Sequence, residues 1–213
     1  MKLRILSLSL LALCLAAVPA MAQTLYSNGP VNGTTDAWTI NFGFVVSDSF
    51  TVSSGSFPID GLSFGAWTFP GDVLESAEVQ ITSAEFGGTT YFDQVLSFTQ
   101  SGCSGNQYGF DVCTETASLN EFSLAAGTYW LNLDNAVVDD GDPVYWDENS
   151  GPSSASENSV GTIPSEAFTI YEDCFDGSSA PCGPPPTAPE PSSIMLFASG
   201  VVGLAGLLRR KLF

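Results

Sequence analysis

The chain consists mainly of short apolar and β-branched segments separated by Gly, Pro, Asp and Ser. One stretch shows the pattern clearly, because Tyr129, Leu131 and Leu133 alternate with polar residues. This is the period of a strand with one buried face, so Asn132 and Asp134 are expected to face water. Apolar residues at helical spacing do not continue beyond one or two turns. The pattern therefore predicts an all-β domain.

About ten strands can be placed on this pattern. They are predicted at residues 38–46, 62–69, 75–82, 89–99 and 127–136, and in shorter form at 50–52, 108–113, 121–124, 144–146 and 167–171. The sequence Phe86-Gly87-Gly88-Thr89 is typical of a hairpin turn in which glycine supplies positive φ. Residues 138–164 are rich in turn-forming residues, so any strand in this stretch is only weakly predicted. Short strands separated by turns favour an antiparallel β-sandwich, of jelly-roll type.

The charge distribution excludes several classes of function. The 213 residues include five Lys and Arg, 23 Asp and Glu and no His, and the five cations all lie at the two ends of the chain. No side-chain cation is therefore available between Ile5 and Leu208 to neutralise phosphates, which excludes nucleic-acid binding. A Ser–His or Cys–His nucleophile pair and a Schiff-base lysine are excluded for the same reason. With 44% hydrophobic and 13% charged residues, the chain is globular rather than disordered.

The N-terminal end has the pattern of a secretory signal peptide. A short basic segment precedes an apolar run over residues 5–18, and Ala20 and Ala22 form a small-x-small cleavage motif. We expect signal peptidase to remove residues 1–22, so that the mature chain begins at Gln23. A retained signal anchor is the alternative, and the cleavage motif argues against it.

The C-terminal end has the pattern of a membrane helix. An apolar run over residues 192–208 is followed at once by Arg209, Arg210 and Lys211. At ~1.5 Å per residue the run is about 25 Å long, near the lower limit for crossing a bilayer. The positive-inside rule places the basic cluster in the cytoplasm and the acidic bulk outside. The alternative, a soluble core helix, would require an amphipathic pattern. A Cys- and Pro-rich linker is predicted at residues 178–191, in an extended conformation.

The end of the linker carries a motif. Pro189, Glu190 and Pro191, then a short apolar helix with glycines, then a terminal basic cluster together resemble the PEP-CTERM sorting signal of exported proteins in Gram-negative bacteria. The resemblance implies that residues 192–213 are a sorting tail and that exosortase, a membrane transpeptidase-like enzyme, cuts at or near the triplet. The Pro and Glu residues are then features of a substrate and not catalytic groups. The resemblance also implies that the protein comes from a bacterium that makes exopolysaccharide.

Between the two ends, residues 23–177 are long enough for one domain of ordinary size. Once the signal peptide is removed four cysteines remain, an even number that argues for two disulfides in an exported protein. Three pairings are possible. The local ones, Cys103–Cys113 and Cys174–Cys182, are favoured because each closes a loop of about ten residues. A metal–thiolate site is the alternative, but no CxxC spacing is present.

Carboxylates are the only strong acid–base groups left, so glycoside hydrolysis is the one enzymatic class that the composition permits. Accidental carboxylate pairs are common among 23 acids, and we expect that the chain is not an enzyme.

The acidic stretch near residue 140 offers Asp139, Asp140, Asp142 and Asp147 as oxygen ligands for Ca²⁺. A solvated acidic turn is the alternative, since charge clusters usually lie in water. No other cofactor is expected.

Aromatic side chains suggest a second kind of site. Trp130 and Trp146 are candidates for stacking on a sugar, with packing in the core as the alternative for each.

Together these features predict an exported protein of the cell surface or extracellular matrix of a biofilm, with a structural or adhesive role. The alternative is a non-catalytic module that binds exopolysaccharide. Contact with the membrane is expected only through the C-terminal helix before processing.

Overall fold

The structure, a computed structural model, describes residues 23–53 and 57–172. Within these ranges the regular structure consists of β-strands without any helix, which confirms the predicted all-β class. No helix in the described ranges is therefore able to span a membrane. The predicted signal peptide, linker and C-terminal helix lie outside the described residues, as does the end of the predicted domain at residues 173–177.

The first sheet contains eight strands of the described ranges, all paired antiparallel. Its members are β1 (Gln23–Ser27), β2 (Ala37–Thr39), β4 (Phe57–Thr68), β7 (Thr99–Gly105), β8 (Asp111–Leu124), β10 (Tyr145–Asn149), β13 (Ser165–Glu166) and β14 (Phe168–Glu172). The long strand β4 pairs with β8 along one edge and with β14 and β10 along the other. Strand β4 is therefore the centre of this sheet.

The second sheet contains six strands of the described ranges, also paired antiparallel. In spatial order these are β12 (Gly161–Ile163), β11 (Ala155–Glu157), β3 (Val46–Val52), β9 (Gly127–Val137), β5 (Ser76–Ala84) and β6 (Gly87–Ser97). The central strand β9 pairs with β3 and β5 along most of its length.

The two sheets bury their apolar faces against each other. Phe50 of the second sheet lies 6.3 Å from Phe168 and 5.9 Å from Tyr26 of the first, measured between ring centroids. Phe92 and Phe122 stack across the same gap at 5.2 Å. Both sheets thus contribute to one hydrophobic core, and burial of such rings is the main favourable term in folding. The jelly-roll sandwich stays a prediction.

The predicted strand over residues 38–46 is wrong as one element, because the chain turns within it. Phe42 and Gly43 have φ of 57° and 87°, a left-handed conformation that ends β2 and redirects the chain into β3. The stretch 138–164, predicted to be poor in strands, contains β10, β11 and β12. Their short sequences give a weak local signal. Strand β10 pairs with the longer strand β4 and β11 with the longer strand β3, while β12 pairs with β11.

The hairpin predicted near residues 86–89 is present and joins β5 to β6. Its turn lies slightly earlier than expected, at Glu85 and Phe86, and Gly88 has a φ of 83°.

The alternation in β9 is confirmed for its three apolar residues, which are buried: Tyr129, Leu131 and Leu133. Asn132 was expected to face water, and this prediction is wrong because it is only 2% exposed. Its Oδ1 accepts a hydrogen bond from the Phe86 N–H at 3.3 Å, and its Nδ2 donates to Thr82 Oγ1 at 2.9 Å. The β5–β6 turn therefore covers this polar side chain and supplies one of its partners.

Candidate functional site

An aromatic cleft opens at one end of the first sheet, with a volume of about 360 Å³. Its walls are formed by the aromatic rings of Trp67, Tyr108, Phe110 and Tyr145 and by residues 35–37. These residues come from the end of β4, the turn before β8 and the first residues of β10 and β2. Antiparallel pairing aligns these strand ends, so the aromatic rings meet although they are distant in sequence.

The rings of the aromatic cleft form an ordered stack. Tyr108 lies parallel to Trp67, with centroids 5.6 Å apart and an interplanar angle of 20°. Phe110 packs edge-on against Tyr145 at 5.4 Å. Trp67 is almost buried, whereas Tyr108 is 53% exposed. Tyr108 therefore offers an accessible ring on a rigid base, the geometry that stacking on an apolar ligand face requires.

Asp147 anchors the base of the aromatic cleft. Its Oδ1 accepts hydrogen bonds from the Trp67 indole at 2.6 Å and from the Gly33 N–H at 2.9 Å, while its Oδ2 accepts from the Asn32 N–H at 2.7 Å. Burial raises the pKa of Asp147, and these three hydrogen bonds partly offset the rise. The prediction of Asp147 as a ligand in the acidic turn is therefore wrong: it is fully buried and holds Trp67 in place.

A glycine in β4 makes this arrangement possible. A Cβ at Gly65 would lie 2.8 Å from the Asp147 Cβ and 2.9 Å from the Val31 side chain, which is closer than real Cβ atoms approach. Only glycine at this position lets β10 and the segment around Val31 lie directly against β4.

The other predicted acids lie on the surface. The carboxylates of Asp140 and Asp142 come together with that of Asp72, with one oxygen of each within 4.8 Å of the others. Burial raises the pKa of Asp72, and the nearby Asp140, Asp142 and Asp139 raise it further. Asp139 itself is exposed. The sequence did not single out Asp72, which is about 70 residues away in the chain. Calcium binding by Asp139, Asp140 and Asp142, in and beside this surface triplet, stays a prediction.

The two candidate tryptophans have different environments. Trp146 is fully buried, packs against Phe64 and Phe168, and donates its indole N–H to the Ala167 carbonyl at 2.9 Å. Its prediction as a sugar-stacking residue is therefore wrong, because no face of its ring is accessible. Trp130 is partly exposed in β9, and its side chain alternates with the buried Tyr129 and Leu131. It therefore lies on the outer face of the second sheet.

The disulfide Cys103–Cys113 is present, joining the neighbouring strands β7 and β8. This confirms the favoured local pairing for these two cysteines. Cys174 and Cys182 lie outside the described residues, as do Ala20 and Ala22 of the signal cleavage motif.

The aromatic cleft could not be found from the sequence, because its rings are brought together by the register between strands that are distant in the chain. One signal was available: Tyr145 and Trp146 are adjacent in a strand and must face opposite sides. Since one of them fills the core, the other had to face outward, where it lines the cleft.

The C-terminal segment supplies the remaining functional evidence. Its predicted sorting residues lie outside the described part of the chain, and they are Pro189, Glu190, Pro191, Arg209, Arg210 and Lys211. The class that follows from the β domain and its tail is an exported protein with a sorting signal. Residues 187–211 match the family model of the PEP-CTERM protein-sorting motif. The chain therefore carries a PEP-CTERM sorting signal, and this signal implies sorting by exosortase and a surface or extracellular location. Comparison of the whole chain with curated proteins finds no match.

Proposed function

We propose that the chain is a non-catalytic, structural or adhesive protein of the cell surface or extracellular matrix, folded as a β-sandwich of jelly-roll type. Signal peptidase and exosortase process its two ends, and the C-terminal helix holds it in the membrane only until then. The PEP-CTERM motif supports the export route. The lack of His, Lys and Arg between residues 5 and 208 supports a role without nucleophilic catalysis.

The observation that carries the adhesive role is the position of the aromatic cleft relative to Glu172, the last described residue before the sorting tail. Strand β14 ends at Glu172, which pairs with Ile59 near the start of β4. Trp67 lies eight residues further along β4, which corresponds to about 26 Å at ~3.3 Å per residue. The cleft and Glu172, the last described residue before the sorting tail, are therefore at opposite ends of the first sheet. An anchored domain would present the cleft away from its attachment.

A deletion and complementation experiment tests this role. Loss of the gene is expected to reduce cell attachment or the cohesion of the extracellular matrix, and the wild-type chain is expected to restore it. A Tyr108→Ala variant, which removes an exposed ring from the cleft, is expected to reach the surface but to restore attachment poorly. Tyr91→Ala is the matched control, because Tyr91 is also an exposed tyrosine but lies on β6 of the second sheet. A deletion strain with normal attachment and matrix cohesion would refute the adhesive role.

A second candidate function, binding of exopolysaccharide, is favoured by the aromatic cleft itself. Its exposed Tyr108 ring and the neighbouring Tyr145 could contact the apolar face of a sugar, while Asp36 at the rim could accept hydrogen bonds from hydroxyls. Pull-down of the purified exported protein with the cell's own polysaccharide tests this function. Tyr108→Ala should abolish retention if the cleft binds, and Trp130→Ala should do so if the outer face of the second sheet binds. A wild-type protein that retains no glycan would leave the purely structural role.

A further inference from the structure

A polar surface lies beside the aromatic cleft, on the outer face of the first sheet. Ser63 alternates in β4 with side chains that belong to the core, so it points to the outer face. Thr169 of β14 pairs with Ser63 and shares this face. Thr114 of β8 shares it too, because it pairs with Gly65, two residues further along β4. The outer face of these three strands therefore carries hydroxyl groups close to one another.

Two cavities on this face form one groove, named here the uncharged groove. The first has a volume of about 400 Å³ and lies over β14 and β4, and the second has a volume of about 530 Å³ and lies beside β7 and β8. Val31 and Thr114 line both cavities, so the two are continuous. The segment at residues 29–34 contributes to the wall of both.

The uncharged groove adjoins the aromatic cleft. Thr34 lines the groove, and the next residue, Thr35, lines the cleft. In the same way Gln107 lines the groove and Tyr108 lines the cleft. The Tyr108 hydroxyl donates a hydrogen bond to the Thr34 carbonyl oxygen at 3.4 Å. The exposed Tyr108 ring therefore stands at the boundary between the two surfaces.

The lining of the groove has no charge. None of the described residues that line either cavity is an Asp or a Glu, although the sequence contains 23 acids. Its exposed and half-buried polar side chains are hydroxyls and one amide: Ser27, Thr34, Ser104, Gln107, Thr114 and Thr169. Hydroxyl and amide groups both donate and accept hydrogen bonds, as the hydroxyl groups of a sugar do. The groove thus matches a ligand rich in hydroxyl groups.

Charge restricts that ligand further. An acidic polymer would be repelled, because all 23 acids and no Lys, Arg or His lie between residues 5 and 208. Its carboxylates would also lose water in the groove without gaining a partner of opposite sign. A cationic polymer would be attracted to the domain, but its ammonium groups would find no carboxylate in the groove. An uncharged ligand meets neither cost.

The shape of the surface favours a chain over a single sugar. Ser63 of the groove and Trp67 of the cleft are four residues apart in β4, which corresponds to about 13 Å at ~3.3 Å per residue. This distance is longer than one monosaccharide. An extended peptide is less suited, because the floor strands β4, β8 and β14 are each paired along both edges. They offer no row of free backbone groups to a further strand.

We propose that the uncharged groove binds a linear, uncharged polysaccharide of the cell's own matrix, which continues onto the Tyr108 ring at the aromatic cleft. This inference rests on polysaccharide binding, the second candidate function, and adds the class of glycan and the surface along which its chain lies. Thr114 lies under the middle of the bound chain, because it lines both cavities.

Affinity electrophoresis of the full exported chain tests the proposal. The probes are two fractions of the cell's own exopolysaccharide, one uncharged and one acidic, separated by anion exchange. The wild type is expected to bind the uncharged fraction and to bind the acidic one at least about ten times more weakly. Raising NaCl from about 0.05 M to about 0.5 M is expected to leave binding to the uncharged fraction unchanged, since no ion pair forms.

Variants at the centre of the groove locate the binding surface. Thr114→Asp introduces a carboxylate without a partner and is expected to weaken binding at least about 10-fold. Thr114→Val keeps the shape but removes the hydroxyl, and it is expected to weaken binding about 3- to 10-fold. Ser118→Asp is the matched control, because Ser118 is exposed on the same strand but lines neither cavity. This control is expected to bind like the wild type.

The outcomes separate the groove from the cleft. Weaker binding in both Thr114 variants, with normal binding in Ser118→Asp, supports the proposal. Normal binding in the Thr114 variants together with its loss in Tyr108→Ala overturns the groove and leaves the cleft as the glycan site.

A preference for the acidic fraction, or the lack of an uncharged fraction in the cell's polysaccharide, also overturns the proposal. A wild type that retains neither fraction removes polysaccharide binding altogether. If Thr114→Asp does not fold, Thr114→Val decides the question, because it adds no charge.

Discussion

Glu115 provides a sharp test of how much a buried carboxylate destabilises this domain, in which no Lys, Arg or His is available to pair with it. The residue lies in β8, opposite Phe64 of β4 and Gln100 of β7, and its side chain is fully buried. Burial raises the pKa of Glu115 from 4.5 to about 7. The nearby Gln100 amide lowers this pKa, but neither carboxylate oxygen of Glu115 has a hydrogen-bond partner.

The sign of the effect on stability follows from these pKa values. Below pH 4.5 Glu115 is protonated in both the folded and the unfolded chain, so its ionisation does not lower the free energy of unfolding. Between pH 4.5 and 7 the unfolded chain releases the proton while the folded chain keeps it, so the free energy of unfolding falls as the pH rises. The difference between a pKa of about 7 and one of 4.5 amounts to about 3 kcal/mol at pH 7.5.

The assay is denaturant unfolding of wild type and Glu115→Gln at pH 4.5 and 7.5. Other buried acids, such as Asp48 with its pKa raised to about 6 by burial, contribute to the pH dependence of both proteins. They therefore cancel when the two proteins are compared. The wild type is expected to lose about 3 kcal/mol more than the variant between the two pH values. Glu121→Gln is the control, because Glu121 is exposed on the same strand. Equal losses in wild type and Glu115→Gln would refute the reasoning.

Four further results are expected. Phe50→Ala should lower the free energy of unfolding by about 3–5 kcal/mol in denaturant titrations, because its ring fills the core between the sheets; a loss below 1 kcal/mol would contradict this. Gly65→Ala should cost about 1–3 kcal/mol in the same assay, since the new Cβ would meet Asp147, and an unchanged midpoint would argue against that contact. Cys103→Ser should lower the free energy of unfolding by about 2–3 kcal/mol relative to the oxidised wild type, and it should match the reduced wild type in the same assay. Mass spectrometry of the surface form should find no peptides from residues 192–213, and intact tail peptides would indicate a permanent anchor.

The sequence predicted those features of the fold that depend on neighbouring residues. The alternation of β9 is local, because successive side chains of a strand must point to opposite faces. The β5–β6 hairpin is also local, since glycine near the turn relieves the steric cost of positive φ. The disulfide between Cys103 and Cys113 joins adjacent strands, so the short sequence separation of the two cysteines was enough to predict their pairing.

The sites could not be predicted in the same way, because they depend on register between distant strands. Asp147 is close in sequence to Asp142, yet one lies buried beside Trp67 and the other lies at the surface triplet. Asp147 lies within β10, whereas Asp142 lies in the turn before this strand, so the two side chains have different surroundings. Asp48 on β3 accepts a hydrogen bond from the Glu166 N–H, although the two residues are 118 apart in the chain, and no spacing motif records such a contact.

The arrangement of β14 has a mechanical consequence. If the domain is attached through its C-terminal end, tension would enter the sheet through Glu172 and run along β14, while a partner held at the aromatic cleft would pull from the far end of β4. Strand β14 is bonded on one edge to β1 and on the other to β4, so this force is a shear along two rows of hydrogen bonds. A strand loaded in shear must break these bonds together, whereas a strand peeled from its end breaks them one at a time. Under the proposed adhesive role, the domain would therefore resist pulling forces along the axis on which flow stretches an attached cell.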